Sequence, residues 1–289
     1  HGEAPVASVF WGGALILGLM VKEVPFLLLV ILSALNQIPV RAHLAAGRAL
    51  GYGRGVVWLK VILPQVYPLV RLPVFAVLAF GLSVVDMAVI LGPSNPPTLA
   101  VAVTRWAFAP DKAMLLPAAA AALMLAGIAV AGIAAWIGAE RVCVRVGRWW
   151  VRRGGRGVGA EPGLKVTSGA LAVLCGLGAL SLIALAVWSV AWRWSFPNAL
   201  PEAWSGATWA RHGADAAGTA GTTLMIAGLS TLAALALAIA WLEGEDRARR
   251  GRAGWAEVLV YLPRLVPQVA FLYGLNVAFL RAGLSGTMA

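Results

Sequence analysis

Composition places this chain in a lipid bilayer. Of its 289 residues, 61% are hydrophobic and only 12% are charged, whereas soluble domains average roughly 45–50% apolar and about 25% charged residues. The formal net charge is +11, yet the lysines and arginines are grouped in short links between apolar runs, which is typical of membrane proteins and not of nucleic-acid binding. Cys143 and Cys175 provide neither a disulfide framework nor a metal-ligand spacing.

Seven apolar runs predict an all-α, polytopic membrane protein. Most of them reach or approach the roughly 18–20 residues that cross a bilayer as helix, and they lack the alternation of barrel strands. Lys22 and Glu23, followed at once by Pro25, predict a tight turn between the first run and the second, which is short for a full crossing. The predicted spans are residues 6–21, 25–35, 65–92, 114–138, 168–192, 219–242 and 256–280.

The links between the spans carry further predictions. Residues 98–113, with Arg105 and Trp106, predict a short helix at the membrane surface. Residues 139–165 combine seven basic residues with a run of glycines, which predicts a flexible linker and a domain boundary. An aromatic belt beside the next outer loop is predicted at Trp192, Trp194, Trp204 and Trp209.

The distribution of positive charge predicts the orientation of the spans. Links 41–60, 139–165 and 243–255 hold 15 of the 23 lysines and arginines, whereas the alternate links hold five. Because cytoplasmic links carry the excess of Lys and Arg, the three basic links are predicted to lie in the cytoplasm.

The sequence lacks the short motifs of a self-contained enzyme. It has no Gly-x4-Gly-Lys-Ser/Thr phosphate loop and no HExxH, and its histidines, His1, His43 and His212, are scattered. The glycine-rich stretches 51–55 and 155–160 do not follow a predicted strand, which argues against a nucleotide fingerprint. We therefore expect no cofactor, no metal and no catalytic residue.

Residues 45–64, AAGRALGYGRGVVWLKVILP, form a polar and basic island between long apolar runs. This island resembles the cytoplasmic EAA loop of the type I, binding-protein-dependent ABC importer permeases. The family pattern is EAA, three residues, Gly, nine residues, Ile or Val, any residue, then Leu-Pro. That spacing is met without a gap by Ala45, Ala46, Gly47, Gly51, Val61, Leu63 and Pro64.

The resemblance implies that this loop docks onto a separate protein. In that family, two short helices joined by the glycine insert into a groove on an ATPase subunit. Ala45 stands where the family usually has Glu, and Gly47 stands where it usually has Ala. Because the usual acid is missing, we expect Arg48, Arg54 and Lys60 to contribute to docking. The alternative is an ordinary basic loop held by anionic lipid.

Other stretches extend the resemblance to the fused, two-module permeases of the thiamine, ferric iron and polyamine importers. They are ValProPhe at 24–26, AsnGlnIlePro at 36–39, LGPSNPPTLAV at 91–101, and the segments 193–218 and 262–268. The resemblance implies an internal fragment of a longer protein. It would comprise the C-terminal part of a first permease module (1–138), a basic cytoplasmic linker (139–167) and the N-terminal part of a second, truncated module (168–289).

The resemblance also implies what the whole protein does. It would be a permease of the bacterial inner membrane that receives a small solute from a periplasmic binding protein. Two cytoplasmic ABC ATPase subunits would drive it, so the permease itself would not be an enzyme. The solute stays open among thiamine, ferric ion and polyamine.

Four residues in or beside the spans are candidates for the solute pathway or a gate: Asp86, Arg71, Arg264 and Asn276. Asp86 lies roughly 33 Å beyond Pro64 along a continuous helix, so it either lines the outer mouth of the pathway, or it faces water or caps a neighbouring helix. Arg71 and Arg264 lie roughly 10–12 Å from the cytoplasmic edge, where they either snorkel or form an inner gate. Asn276 either contacts solute or bonds a neighbouring helix.

Two other classes of protein compete with the permease. A secondary transporter places ionisable residues near the middle of the membrane, and the predicted spans have almost no charge there. A membrane-embedded enzyme needs a catalytic cluster at one depth, and the sequence shows none.

Overall fold

The computed structural model describes residues 12–157, 161–195, 198, 200–248 and 268–281. The chain divides into two compact units, His1–Cys175 with Leu259–Ala289, and Gly176–Val258. This division does not coincide with the predicted borders at 138 and 168, and the assignment of two permease modules stays a prediction.

The first unit is built from helices. It also contains a π-helical turn at Trp58–Ile62 and a 3₁₀ turn at Lys112–Met114. Its helices are α1 (Gly13–Leu35), α2 (Val40–Ala49), α3 (Arg54–Val57), α4 (Leu63–Ser83), α5 (Asp86–Leu91), α6 (Leu99–Ala107) and α7 (Leu115–Arg152). Helix α8 (Glu161–Val190) begins in this unit.

The predicted turn at Lys22 and Glu23 is wrong. Helix α1 runs without a break from Gly13 to Leu35 and contains Pro25 within it. A continuous helix satisfies the backbone hydrogen bonds that a turn inside the hydrocarbon would leave open, and transmembrane helices tolerate proline. Lys22 and Glu23 therefore lie near the middle of one membrane-spanning helix.

The predicted third span, 65–92, is also not one helix. Helix α4 ends at Ser83, the backbone is extended at Val84, and α5 starts at Asp86. A helix is present within 98–113 as α6, which ends before Pro110, and its position at the membrane surface stays a prediction.

The predicted flexible linker starts later than the sequence indicated. Helix α7 continues through Arg152, and α8 already begins at Glu161. Arginine is a good helix former, so a basic stretch emerging from the membrane has no reason to unwind before the glycines at 154 and 155. Gly154 and Gly157 have positive φ angles of 68° and 46°, which turn the chain there.

Three apolar clusters hold the first unit together. One joins α1, the α3–π segment and α4 through Ala34, Val57, Ile62, Val66 and Val70. A second joins α1, α5 and α6 through Leu15, Val84, Ala88 and Val101. The third packs α6 on α7 through Val103, Ala121 and Ala122. Helix α10 (Gln268–Arg281) packs against α7, α4 and α6.

The second unit consists of the end of α8, a two-stranded antiparallel ribbon and α9 (Ala207–Ala248). The strands are β1 (Ala191–Arg193) and β2 (Ala203–Trp204). Aromatic contacts surround the ribbon: the rings of Trp188 and Trp194 lie 5.7 Å apart, and the Arg211 guanidinium lies 5.3 Å from the Trp192 ring. This segment agrees with a membrane-surface loop rich in tryptophan.

Five described helical segments are long and apolar enough to cross a membrane. They confirm an all-α, polytopic membrane protein. The number falls below seven because the first two predicted spans are one helix and because residues 256–267 of the seventh lie outside the described residues. The five segments are Gly13–Leu35, Arg54–Ser83, Leu115–Arg152, Val166–Val190 and Ala207–Arg247.

The sidedness of these spans is testable by cysteine labelling. With Cys143 and Cys175 replaced by Ser in the full-length protein, we expect Leu50→Cys to react with an impermeant maleimide only from the cytoplasmic side. Ser94→Cys should react only from the opposite side, because one span separates the two exposed positions. Leu123→Cys, at a 76% exposed position within α7, should resist labelling from both sides. Labelling of Leu50→Cys and Ser94→Cys from the same side would contradict the topology.

Candidate functional site

Helices α2 and α3 form the predicted pair around Gly51. Gly51 has a φ of 78°, the left-handed conformation that glycine adopts without strain. Its N–H donates to the Arg48 carbonyl at 2.9 Å, and the Tyr52 N–H donates to the Gly47 carbonyl at 2.9 Å. These two bonds make the Schellman motif that closes a helix C-terminus. The second helix is not a separate short one, because α3 continues through the π turn into α4.

Gly47 is the contact point between the two helices. A Cβ at this position would collide with the Val57 side chain. The glycine therefore lets α2 pack directly on α3, and Val57 is buried by that contact. The departure from the family pattern at residue 47 has a local structural reason.

The pair is anchored on the membrane helices. Ile62 is fully buried and, together with Val57 and Val66, packs in the cluster that includes Ala34 of α1. His43 of α2 and Gln65 of α4 form a side-chain hydrogen bond of 3.3 Å. These buried contacts fix the position of the loop on α1 and α4.

One face of α2 remains open. Its exposed residues are small or basic: Arg41, Ala42, Ala45, Ala46, Arg48 and Ala49. The apolar Leu50 follows them with 65% of its surface exposed, and Arg54 is exposed at the start of α3. No Asp or Glu occurs between residues 40 and 64. The open face, called the α2 face below, is therefore cationic with a small-residue centre.

Lys60 does not point into that open face. Its Nζ donates to the Gly155 carbonyl at 3.0 Å and lies 4.6 Å from the centre of the Trp150 ring. The Gly53 N–H donates to the Arg156 carbonyl at 3.0 Å. The start of the glycine-rich link is thus bonded to the loop, and Lys60 serves this internal contact.

Arg71 belongs to a polar cluster between α4 and α7. Its Nη2 lies 2.8 Å and its Nε 3.0 Å from Glu140 Oε2. Tyr67 Oη donates to Glu140 Oε1 at 2.5 Å and accepts from Trp136 Nε1 at 2.8 Å. The Glu140 side chain is 14% exposed and that of Arg71 is 42% exposed. Arg71 is therefore paired with a carboxylate. Both predictions, an arginine that snorkels to the interface and an unpaired gate residue, lacked this partner.

A groove of about 760 Å³ lies between the π turn, the start of α4 and the last third of α7. Its lining is mainly apolar and aromatic, including Leu63, Tyr67, Trp136 and Trp150, with Lys60, Arg148 and Arg152 among its basic residues. This groove is continuous with the Arg71–Glu140 cluster, because Tyr67 and Glu140 line it as well.

Of the other candidate pathway residues, only Asp86 has a described side chain. Asp86 is exposed at the first turn of α5, where a carboxylate is favourable at a helix N-terminus. Asn276 lies on α10, but its side chain is outside the described residues, and so is the whole of Arg264.

Two charged positions were missed by the sequence interpretation. Lys22 lies in the middle of α1, with its Nζ 4.1 Å from the centre of the Phe80 ring of α4. Together with Glu23 it overturns the statement that mid-span charge is almost absent. Glu140 was assigned to the linker and not to a helix. The i, i+4 spacing of Tyr67 and Arg71 on one helix face was the available signal for a polar partner there.

The chain is 38% identical over 115 residues to the inner membrane ABC transporter permease protein YnjC of Escherichia coli (strain K12). The match covers 40% of this chain and 22% of the relative, so the chain spans about a fifth of that relative's length. No family model and no solved structure matches the chain. Together with the five apolar helices, this similarity supports a multi-pass protein of the inner membrane.

Gly47→Ala should loosen the loop although alanine is the better helix former. The added Cβ collides with Val57, and overpacking costs about 1–3 kcal/mol. We expect amide hydrogen exchange at residues 52–57 to accelerate about tenfold or more. Adding Val57→Ala should remove most of this acceleration. Gly147→Ala is the control, because nothing lies within 4 Å of a Cβ there; equal exchange in both alanine variants would contradict the close approach.

Arg71→Met and Glu140→Gln should each lower the Tm of the full-length protein in lipid nanodiscs by about 3–12 °C. A lost hydrogen bond to a charged group costs roughly 1.5–3 kcal/mol, and each kcal/mol shifts Tm by about 2–4 °C. The Tm of the double variant should fall by less than the sum of the two single decreases, because neither partner is left without the other. The exposed Arg247–Glu243 pair of α9 is the control, where we expect almost no shift. Additive losses at Arg71 and Glu140 would contradict a coupled pair.

Proposed function

We propose that this chain is part of the membrane-spanning permease of an ATP-driven ABC importer. The permease accepts a small solute from a periplasmic binding protein and passes it across the inner membrane. Cytoplasmic ABC ATPase subunits, two per fused permease, supply the energy by docking on the α2 face. The permease itself performs no covalent chemistry.

The single observation that carries this proposal is the geometry of residues 40–64. A motif of the docking-loop spacing folds as two helices around a left-handed Gly51 and leaves one helical face open. The loop is also continuous with α4, so a displacement of α2 acts directly on a membrane-spanning segment. The similarity to a curated ABC transporter permease points to the same class of protein.

The solute pathway is proposed to run along the first unit. Asp86 at the start of α5 and Arg71 in the first half of α4 remain the candidate entrance and gate residues, with Arg264 and Asn276 as further candidates. Lys22 joins them, because a charge at the middle of a membrane helix normally faces a protein interior or a water-filled cavity. Thiamine, ferric ion and polyamine remain open as solutes.

A secondary transporter is a second candidate, favoured by Lys22 and Glu23. Ionisable residues near the bilayer centre are the groups that ion-coupled transporters use. The two functions differ in their energy source: the permease needs an ATPase bound at the α2 face, and the secondary transporter does not.

Ala45→Trp should abolish association of the full-length permease with its ABC ATPase. The bulky ring occupies the exposed centre of the α2 face and does not touch the buried contacts of the loop. Co-purification in mild detergent, with the ATPase identified by mass spectrometry, measures this. Val142→Trp, at a 53% exposed position on α7, is the control and should retain two ATPase subunits per permease. Full retention in Ala45→Trp would refute docking at this face.

A further inference from the structure

The start of the glycine-rich link lies against the docking loop at four points. Its backbone accepts hydrogen bonds from the Gly53 N–H and from Lys60 Nζ, each at 3.0 Å. A Cβ at Gly157 would stand 2.6 Å from Val56 Cγ2, so only glycine fits there without a shift. A Cβ at Gly51 would stand 3.7 Å from a guanidinium nitrogen of Arg156.

These contacts bring a fixed charge to the tip of the loop. The Arg156 guanidinium lies beside Gly51, the residue that turns α2 into α3. Arg48 precedes that turn and Arg54 follows it, and both are exposed. Three arginines therefore lie at or next to one turn, and one of them comes from a segment about a hundred residues later in the sequence.

The same region lacks compensating carboxylates in the sequence. Residues 40–64 and 141–157 contain no Asp or Glu. Glu140, the acid next to the second range, is paired with Arg71. A partner that covers this region must neutralise the guanidinium groups, because burying an unpaired charge is costly.

We propose that residues 154–157 and the α2 face form one composite docking surface, and that the ATPase groove which receives it is lined by Asp and Glu side chains. This inference rests on the proposed function. The link between the predicted modules is then part of the contact with the ATPase, and it is not merely a tether.

The shape of the surface favours a protein groove over a lipid surface as its partner. Ala45, Ala46 and Ala49 form the exposed centre between the arginines. Small side chains allow close approach of a second backbone, whereas attraction to anionic headgroups does not require them. Leu50, which is 65% exposed, adds an apolar side chain to the surface that the arginines border. An apolar centre within a polar rim is typical of protein interfaces.

Binding of the purified ATPase to the full-length permease in phosphatidylcholine nanodiscs tests the composite surface. Arg156→Gln keeps the backbone contacts and removes one charge, so we expect Kd to rise about fivefold to tenfold and its dependence on salt to weaken. Arg145→Gln is the matched control: it makes the same charge change at an exposed position about two turns before the end of α7 and should alter Kd less than twofold. Hydrogen exchange at residues 52–57 should be unchanged in both variants, which separates lost contact from lost folding.

The outcomes separate this inference from the proposed function. If Ala45→Trp abolishes binding while Arg156→Gln behaves as Arg145→Gln, docking stands and the composite surface is refuted. If neither Ala45→Trp nor Arg156→Gln affects binding, both proposals fail. If Arg156→Gln weakens binding only in nanodiscs that contain phosphatidylglycerol, Arg156 serves the lipid surface and the composite surface is again refuted.

Discussion

Burial of Val57 and Ile62 against α1 and α4 is the constraint on which the candidate site depends. These two side chains lie within the proposed docking loop (residues 41–64), yet they pack in the same cluster as Ala34, Val66 and Val70 of the membrane helices. Cores resist deformation because they are close-packed. The α2 face therefore has a position set by the membrane helices, and a force applied to it passes to α4 before it can distort the loop.

A second connection leads from the loop to α7. Lys60 bonds the chain just beyond α7, and deeper in the unit Glu140 of α7 holds Arg71 and Tyr67 of α4. The loop, α4 and α7 are thus joined by an apolar cluster, a lysine contact and an ion pair. We expect them to move together as a rigid body, which is a common form of switching in proteins.

Local patterns predicted well those features that depend on local chemistry. The spacing at residues 45–64 predicted the two helices and the special role of Gly51, because the end of a helix is determined within a few residues. The turn predicted at Lys22 and Glu23 was wrong because charged residues usually mark a link between spans. Within the bilayer, the need to satisfy every backbone hydrogen bond instead keeps the helix continuous. Local patterns could not predict the Arg71–Glu140 pair, because the two residues lie 69 positions apart in the sequence and meet only when α4 packs on α7.

Gly47 and Ala45, the two residues that depart from the EAA-loop pattern, have different structural consequences. Gly47 fits the close approach of Val57, so it changes the packing inside the loop and leaves the open face unchanged. Ala45 lies on the open face itself, where the missing acid leaves Arg41, Arg48 and Arg54 without a counter-charge in residues 40–64. With Arg156 added from the link, the surface that we propose for docking is uniformly basic. Electrostatic complementarity then requires an acidic groove, so an ATPase adapted to a loop with Glu at this position would repel or ignore this one.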